Sequence, residues 1–368
     1  MGNAYDNASL IVTPNGYKAS KIYALKPTNG SGDLSFSRAS TALRLNSAGL
    51  FESVALNVPR LQYPVGGGCP SWLFEPQATN LILKFDPTSA EGTSLGVTYA
   101  PYSWNNGLLV NAVSYPSGVD ALHYGATSGT GQKVISVFII MDDLGVPNGG
   151  ISNSNDFQFV LGNVPIAAPY TIEYQGNNIY RVSVSTNVLI SSNNNGVYKA
   201  ITQSSRTFKL SGLQIETGST ATSPIITAGS TVTRLVDSLS TIIMGNFGVN
   251  MAVGYTYLFK LKNCLNPTNQ GQNFGTNAHG FSVTPDLVFG TGVPSISVTS
   301  DTRTIVIRKQ AGFIQMWVNG NTNTPATDTE TDSTLYAIYT STVGKSLDLL
   351  MIYSVPLSDS ECLTLSNL

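Results

Sequence analysis

Short stretches of alternating or unbroken apolar residues run along nearly the whole chain, cut at intervals by Gly, Pro and Asn. Stretches of this kind, rich in Val, Ile, Tyr, Phe and Thr, predict strands, so the chain reads as all-β. Val134-Ile-Ser-Val-Phe-Ile-Ile-Met141 is long and apolar enough for a central strand. Tyr170-Thr-Ile-Glu-Tyr174 and Ile179-Tyr-Arg-Val-Ser-Val184 flank Gln175-Gly-Asn-Asn178, which reads as a hairpin turn, and Phe208-Lys-Leu-Ser-Gly-Leu-Gln-Ile215 closes the unit. These elements predict a first β-sandwich over residues 81–235.

A second sandwich is predicted over residues 236–368. Tyr255-Thr-Tyr-Leu-Phe-Lys-Leu261, Thr304-Ile-Val-Ile-Arg308 and Phe313-Ile-Gln-Met-Trp-Val318 alternate in strand fashion, and Asn319-Gly320 is a type I′ turn signal. Leu347-Asp-Leu-Leu-Met-Ile-Tyr353 reads as a buried strand. A short helix follows, with Ser358 and Glu361 spaced for a capping box and Leu357 and Cys362 for a hydrophobic staple. Residues 1–80 hold only short strands, Leu10-Ile-Val12 and Lys21-Ile-Tyr-Ala-Leu25 being the clearest. With Gly66-Gly-Gly68 and Pro70 they read as an extended attachment or oligomerisation region lying along a neighbour. No self-similar period of 20–50 residues is present, which argues against a solenoid or propeller.

Composition narrows the use of this framework. Charged residues make up 11% of the chain, against about 25% in ordinary soluble domains. Asn, Thr, Ser and Gly must therefore supply the polar surface. Such a surface suits contact with sugar hydroxyls, and equally suits packing against identical copies, because few charges need desolvation. With a formal net charge of -2 and no Lys/Arg-rich run, nucleic acid is not an expected ligand. No stretch has the length of a membrane span, and no signal peptide is read at the start. Cys69, Cys264 and Cys362 cannot all pair within one chain and are read as reduced, with a Cys264–Cys362 bridge as the lesser alternative.

Two groups of residues carry a resemblance. The first runs from Asp33-Leu-Ser-Phe-Ser-Arg-Ala-Ser-Thr-Ala-Leu-Arg-Leu-Asn46 through Gly49-Leu-Phe-Glu-Ser-Val54, Asn57-Val-Pro-Arg-Leu61 and Gly66-Gly-Gly-Cys-Pro-Ser71 to Glu75-Pro-Gln-Ala-Thr-Asn-Leu81. The second is Leu213-Gln-Ile-Glu-Thr-Gly-Ser-Thr-Ala-Thr-Ser-Pro224 with Gly229-Ser-Thr-Val-Thr-Arg234. In this order they resemble the head-fibre, tail-fibre and other virion appendage proteins of tailed bacteriophages of Bacteroidetes-type hosts, the crAss-like phages among them. The first sandwich resembles the jelly rolls of carbohydrate-binding modules, and the second is similar to concanavalin and laminin-G domains. The resemblance implies a virion subunit assembled in the host cytoplasm, a homotrimer or a dimer, in contact with other virion proteins and with host surface polysaccharide.

Reactive groups are few, and no enzyme, cofactor or metal is expected. A Ser-His-Asp triad would depend on His123 or His279, and no Gly-x-Ser-x-Gly elbow accompanies either. Glycoside cleavage needs only two carboxylates, and Asp142, Asp143, Asp156 and Glu173 are available to a rival depolymerase reading. Nothing in the sequence pairs them. Asp328-Thr-Glu-Thr-Asp332 can be drawn as a calcium loop, but Ser333 stands where an EF-hand requires Gly, and a hydrated loop is the simpler reading. Tyr102, Trp104, Asn105 and Asn106 form the best local cluster for carbohydrate: rings to lie on a pyranose face, amides to bond its hydroxyls. For Trp104 a core position is an equal alternative. Trp72 and Trp317 read as structural. Asn193-Asn-Asn-Gly196 and residues 273–277 read as loops first and possible contacts second.

Overall fold

A computed structural model describes residues 2–90, 94–125, 131–186, 195–262, 264, 274–276, 279–284, 286–290, 292–310, 312–329, 334–336 and 345–368. The all-β expectation is met, with antiparallel ladders arranged as two sandwiches.

In the first sandwich a six-stranded sheet runs in the order Thr98–Pro101, Asn111–Tyr115, Phe208–Thr217, Lys133–Met141, Tyr180–Thr186, Thr171–Tyr174. It faces a five-stranded sheet ordered Ser94–Leu95, Ala121–Gly125, Asn195–Lys199, Gln158–Leu161, Val164–Pro165. Lys133–Met141 is buried along its whole length, because both of its faces are covered. One face meets the sandwich core through Ile135, Val137, Ile139 and Met141. The other meets a separate apolar layer through Phe138 and Ile140. Phe208–Thr217, the last strand of the unit in sequence, is central in space. Asn177 and Asn178 take φ of 53° and 59°, as the predicted hairpin turn requires.

The second sandwich pairs a nine-stranded sheet with a six-stranded one. Gly254–Lys262 and Lys345–Tyr353 form the centre of the larger sheet, and Arg303–Gln310 and Phe313–Val318 continue it on one side. Asn319 and Gly320 turn at φ 46° and 82°, the expected hairpin geometry. Trp317 packs in an outer apolar layer beneath the terminal helix Asp359–Ser366, with the Arg308 guanidinium 4.8 Å from its ring centroid. Ser358 and Glu361 close the capping box on that helix, and Leu357 and Cys362 share the layer with Trp317. No disulfide joins Cys69, Cys264 and Cys362.

Residues 2–80 pack against the rest of the chain. Leu10–Val12 and Ser71–Phe74 both pair with Lys345–Tyr353, and Arg60–Gln62 pairs in turn with Ser71–Phe74. Leu10, Val12, Leu61, Trp72 and Phe74 enter the core of the second sandwich, so this segment buries its apolar face inside its own chain. The hairpin Ala42–Leu45 with Phe51–Val54 instead reaches the first sandwich, laying Leu45 and Phe51 on the outer face of the six-stranded sheet. The N-terminal segment thus touches both sandwiches.

Candidate functional site

The segment between the strands Thr98–Pro101 and Asn111–Tyr115 folds back over the outer face of the six-stranded sheet. There it meets the hairpin that carries Phe51, whose backbone N–H donates to the Asn106 carbonyl at 2.8 Å. An open depression of about 750 Å³ is lined by this segment, including Tyr102, Ser103, Asn105, Leu108 and Val110. Of the four residues selected from the sequence, all lie on this one loop, but only two present side chains to it from the surface.

Tyr102 is half-buried, its ring edge-on to Trp104 with centroids 5.4 Å apart, and the Lys209 ammonium lies 5.4 Å from its centroid. Lys209 is itself held by an ion pair to Asp142, which also accepts from Thr207 at 2.5 Å. Asn105 is exposed at φ 53°, and its carbonyl accepts from the Asn177 side chain of the neighbouring hairpin at 2.9 Å. That bond ties two loops of different strands into one rim. Lys209 and Asn177 were not picked out from the sequence, since their approach depends on the loop folding back.

Trp104 and Asn106 serve the fold instead. Trp104 is 2% exposed, packs with Phe51, Phe85, Leu109, Phe138 and Ile179, and donates from Nε1 to the Asn111 carbonyl at 2.7 Å. Asn106 is buried, and its Oδ1 accepts from the N–H groups of Leu108 and Leu109, both at 3.0 Å, which shapes the turn. Both side chains are thus buried rather than presented at the surface, Trp104 lining the depression from beneath with its ring against that of Tyr102.

The carboxylates raised for glycoside cleavage are engaged elsewhere. Bonds from Arg206, and then from the Gly145 N–H, hold the Asp143 carboxyl down to about 2. Arg206 also binds Asp156, at 2.7 Å. Burial works against the charge on Asp142, but Lys209 and Thr207 outweigh it and keep its pKa below the ordinary carboxylate value. A general acid needs the opposite shift. Glu173 is exposed on the edge strand Thr171–Tyr174. Among the described carboxylates burial raises Glu216, yet its oxygens accept from Thr222 N–H, Thr222 Oγ1 and Gln214 Nε2 in a packed interior. Asp328 is paired with His279 at 2.9 Å and Lys309 at 3.1 Å; Glu330 and Asp332 lie outside the described residues. No metal-holding group of His, Cys, Asp and Glu occurs among the described residues. Asn195 and Gly196 open a strand, and residues 274–276 of the stretch 273–277 form one; Asn193, Asn194, Asn273 and Asn277 lie outside the described residues. No helix among the described residues is long and apolar enough to cross a membrane.

His123 is interior, 2.9 Å from the Tyr99 hydroxyl, and burial, assisted by the charge of Lys84, pulls its pKa down to about 4. The unfolded chain takes up this proton near pH 6.5, so between the two values unfolding binds a proton and stability falls with pH. Lowering the pH from 7 to 5 should cost about 2 kcal/mol through this group. Urea titrations at both pH values check it, with the difference shrinking in His123→Gln.

The two sequence signatures meet in one buried ionic junction, where Arg60 binds Glu75 at 2.7 Å and also Asp237, and Asp237 binds Arg38 at 2.9 Å. Arg234 approaches Glu75 at 3.6 Å, and Ser223 donates to Glu75 from N–H and Oγ at 2.7 and 2.6 Å. Burial opposes the charge on Glu75, but Arg234 and Arg60 overcome it, so its pKa lies far below the carboxylate range. Asn80 binds Ile225, Ile82 and Ile215 backbone groups beside this junction. The signatures are framework.

Neither the protein-family models nor the curated proteins give a match. Solved structures give distant likenesses. A sialidase carbohydrate-binding module from Ruminococcus gnavus, bound to α2,3-sialyllactose, is 13% identical over 31% of this chain and 83% of its own, with TM-score 0.23. A putative carbohydrate-binding protein from Bacteroides ovatus is 9% identical over 77% and 82%, with TM-score 0.24. A Trypanosoma rangeli sialidase in complex with the inhibitor DANA is 11% identical over 95% and 82%, with TM-score 0.26. At such values no argument about fold or function rests on them.

Proposed function

We propose that this protein is a virion appendage subunit of a tailed bacteriophage, and that the Tyr102 depression engages host surface polysaccharide. The observation that carries the binding role is the half-open Tyr102 ring, braced by Lys209 and Trp104, beside the exposed amide of Asn105. A ring fixed in this way meets the C–H face of a pyranose without losing side-chain freedom, and an amide supplies both a donor and acceptor for hydroxyls. The virion role is supported by the signatures in the sequence, whose residues build the junction between the sandwiches.

Tyr102→Ala should weaken binding of capsular polysaccharide about tenfold, equivalent to about 1.4 kcal/mol, with the melting temperature little changed. Glycan arrays of host capsular sugars followed by calorimetric titration measure this. Unchanged affinity in a folded Tyr102→Ala variant would refute the site. For the appendage role, an antibody to this chain should decorate virions in negative stain, and light scattering should find a trimer, with a dimer as the alternative. A depolymerase would release reducing ends from capsule. The ion-paired state of Asp142, Asp143 and Asp156 favours binding without cleavage.

A further inference from the structure

The buried junction does not balance its charge. Arg38, Arg60 and Arg234 face Glu75 and Asp237, three positive groups against two negative ones, and every one of the five is buried. The carboxylate oxygens are already committed. Glu75 accepts from Arg60 and twice from Ser223, while Asp237 accepts from Arg38, Arg60 and the Glu75 N–H. The neighbouring Glu216 spends its oxygens on Thr222 and Gln214.

The imbalance falls on two of the arginines. Arg38 is fully engaged: beyond Asp237 it donates to the Ser40, Ala55 and Val58 carbonyls at 2.9, 2.8 and 3.1 Å. Arg60 leaves Nε without an acceptor, and Arg234 leaves both Nε and Nη1, its one good bond being Nη2 to the Pro76 carbonyl at 2.8 Å. Arg234 Nη1 stands 4.0 Å from Asp237, too far for a hydrogen bond. Buried donors without partners and a buried uncompensated charge are each costly, and native proteins seldom leave either in place.

We propose that Arg60 and Arg234 bind one small monovalent anion, chloride under physiological conditions. One negative charge brings the group to neutrality, and a spherical acceptor can take N–H bonds from two guanidiniums at once. Water would accept the same bonds but leave the surplus charge.

The test uses the full chain in chloride-free buffer of constant ionic strength, with gluconate replaced stepwise by chloride. The melting temperature should rise by about 5 °C and saturate, as expected for a ligand that binds only the folded state. Bromide should act likewise, and crystals grown in bromide should show an anomalous peak within hydrogen-bonding distance of Arg234. Arg234→Met, which removes the surplus charge, should lose the halide response; should that variant not fold, the wild-type titration and bromide map decide alone. Either a melting temperature indifferent to chloride or a map with no bromide beside Arg234 overturns the proposal.

Discussion

Replacing Asp237 with Ala is expected to cost about 3–5 kcal/mol of folding stability, the usual penalty for stranding a buried charge by deleting its partner. Asp237 is fully buried and binds Arg38, Arg60 and the Glu75 N–H, so its loss leaves three guanidiniums around Glu75 alone. The effect should be regional as well as large. Arg38 and Arg60 belong to the N-terminal segment, Ser223 follows the closing strand of the first sandwich, and Asp237 precedes the second. Scanning calorimetry should therefore show the Asp237→Ala transition moved down and split, the sandwiches melting apart, while Asp143→Ala on the surface leaves the profile unchanged. A single transition within experimental error of the wild type would mean that the junction holds nothing together. Mild acid should leave the Glu75 charge in place, because Glu75 stays ionised well below the ordinary carboxylate range.

What the sequence makes legible here is local. Alternation places Gly254–Lys262, Phe313–Val318 and Lys133–Met141 as strands because burial of one or both faces is written in consecutive residues. The Ser358–Glu361 spacing reveals its capping box for the same reason. The junction is hidden because its contacts span up to 199 positions, as from Arg38 to Asp237. Its one local trace is an arginine or glutamate set among apolar residues, as in Val58-Pro-Arg-Leu61 and Trp72-Leu-Phe-Glu75, in a chain that otherwise avoids charge. The docking of the N-terminal segment is hidden on similar grounds: its strands are short, and their partner Lys345–Tyr353 lies at the far end of the chain.

The residues of the two signatures therefore specify how the pieces are joined. Gln214 accepts from the Ile225 N–H at 2.7 Å, Glu216 ties Thr222, and Asn80 stitches Ile225 to the strand Phe208–Thr217. A ligand site on such a framework belongs on loops that can vary without disturbing it. The Tyr102 segment has that position, lying outside both signatures yet resting on the sheet they help to close.

Trp104→Ala tests this division of labour from the other side. Trp104 fills the layer between the sheet and the Ala42–Leu45/Phe51–Val54 hairpin, so its removal should leave a cavity and cost about 3–5 kcal/mol. Trp104→Phe keeps most of the packing and forfeits the bond to the Asn111 carbonyl, for about 1–3 kcal/mol. The two roles separate in the Phe variant. If Trp104 is only the support for Tyr102, folded Trp104→Phe protein should bind polysaccharide with near wild-type affinity, while Tyr102→Ala remains stable and binds poorly. The reverse outcome, full stability with lost binding in Trp104→Phe, would make the indole a ligand contact. It would require the loop over the outer face of the sheet to open in solution, exposing a ring that here is 2% accessible.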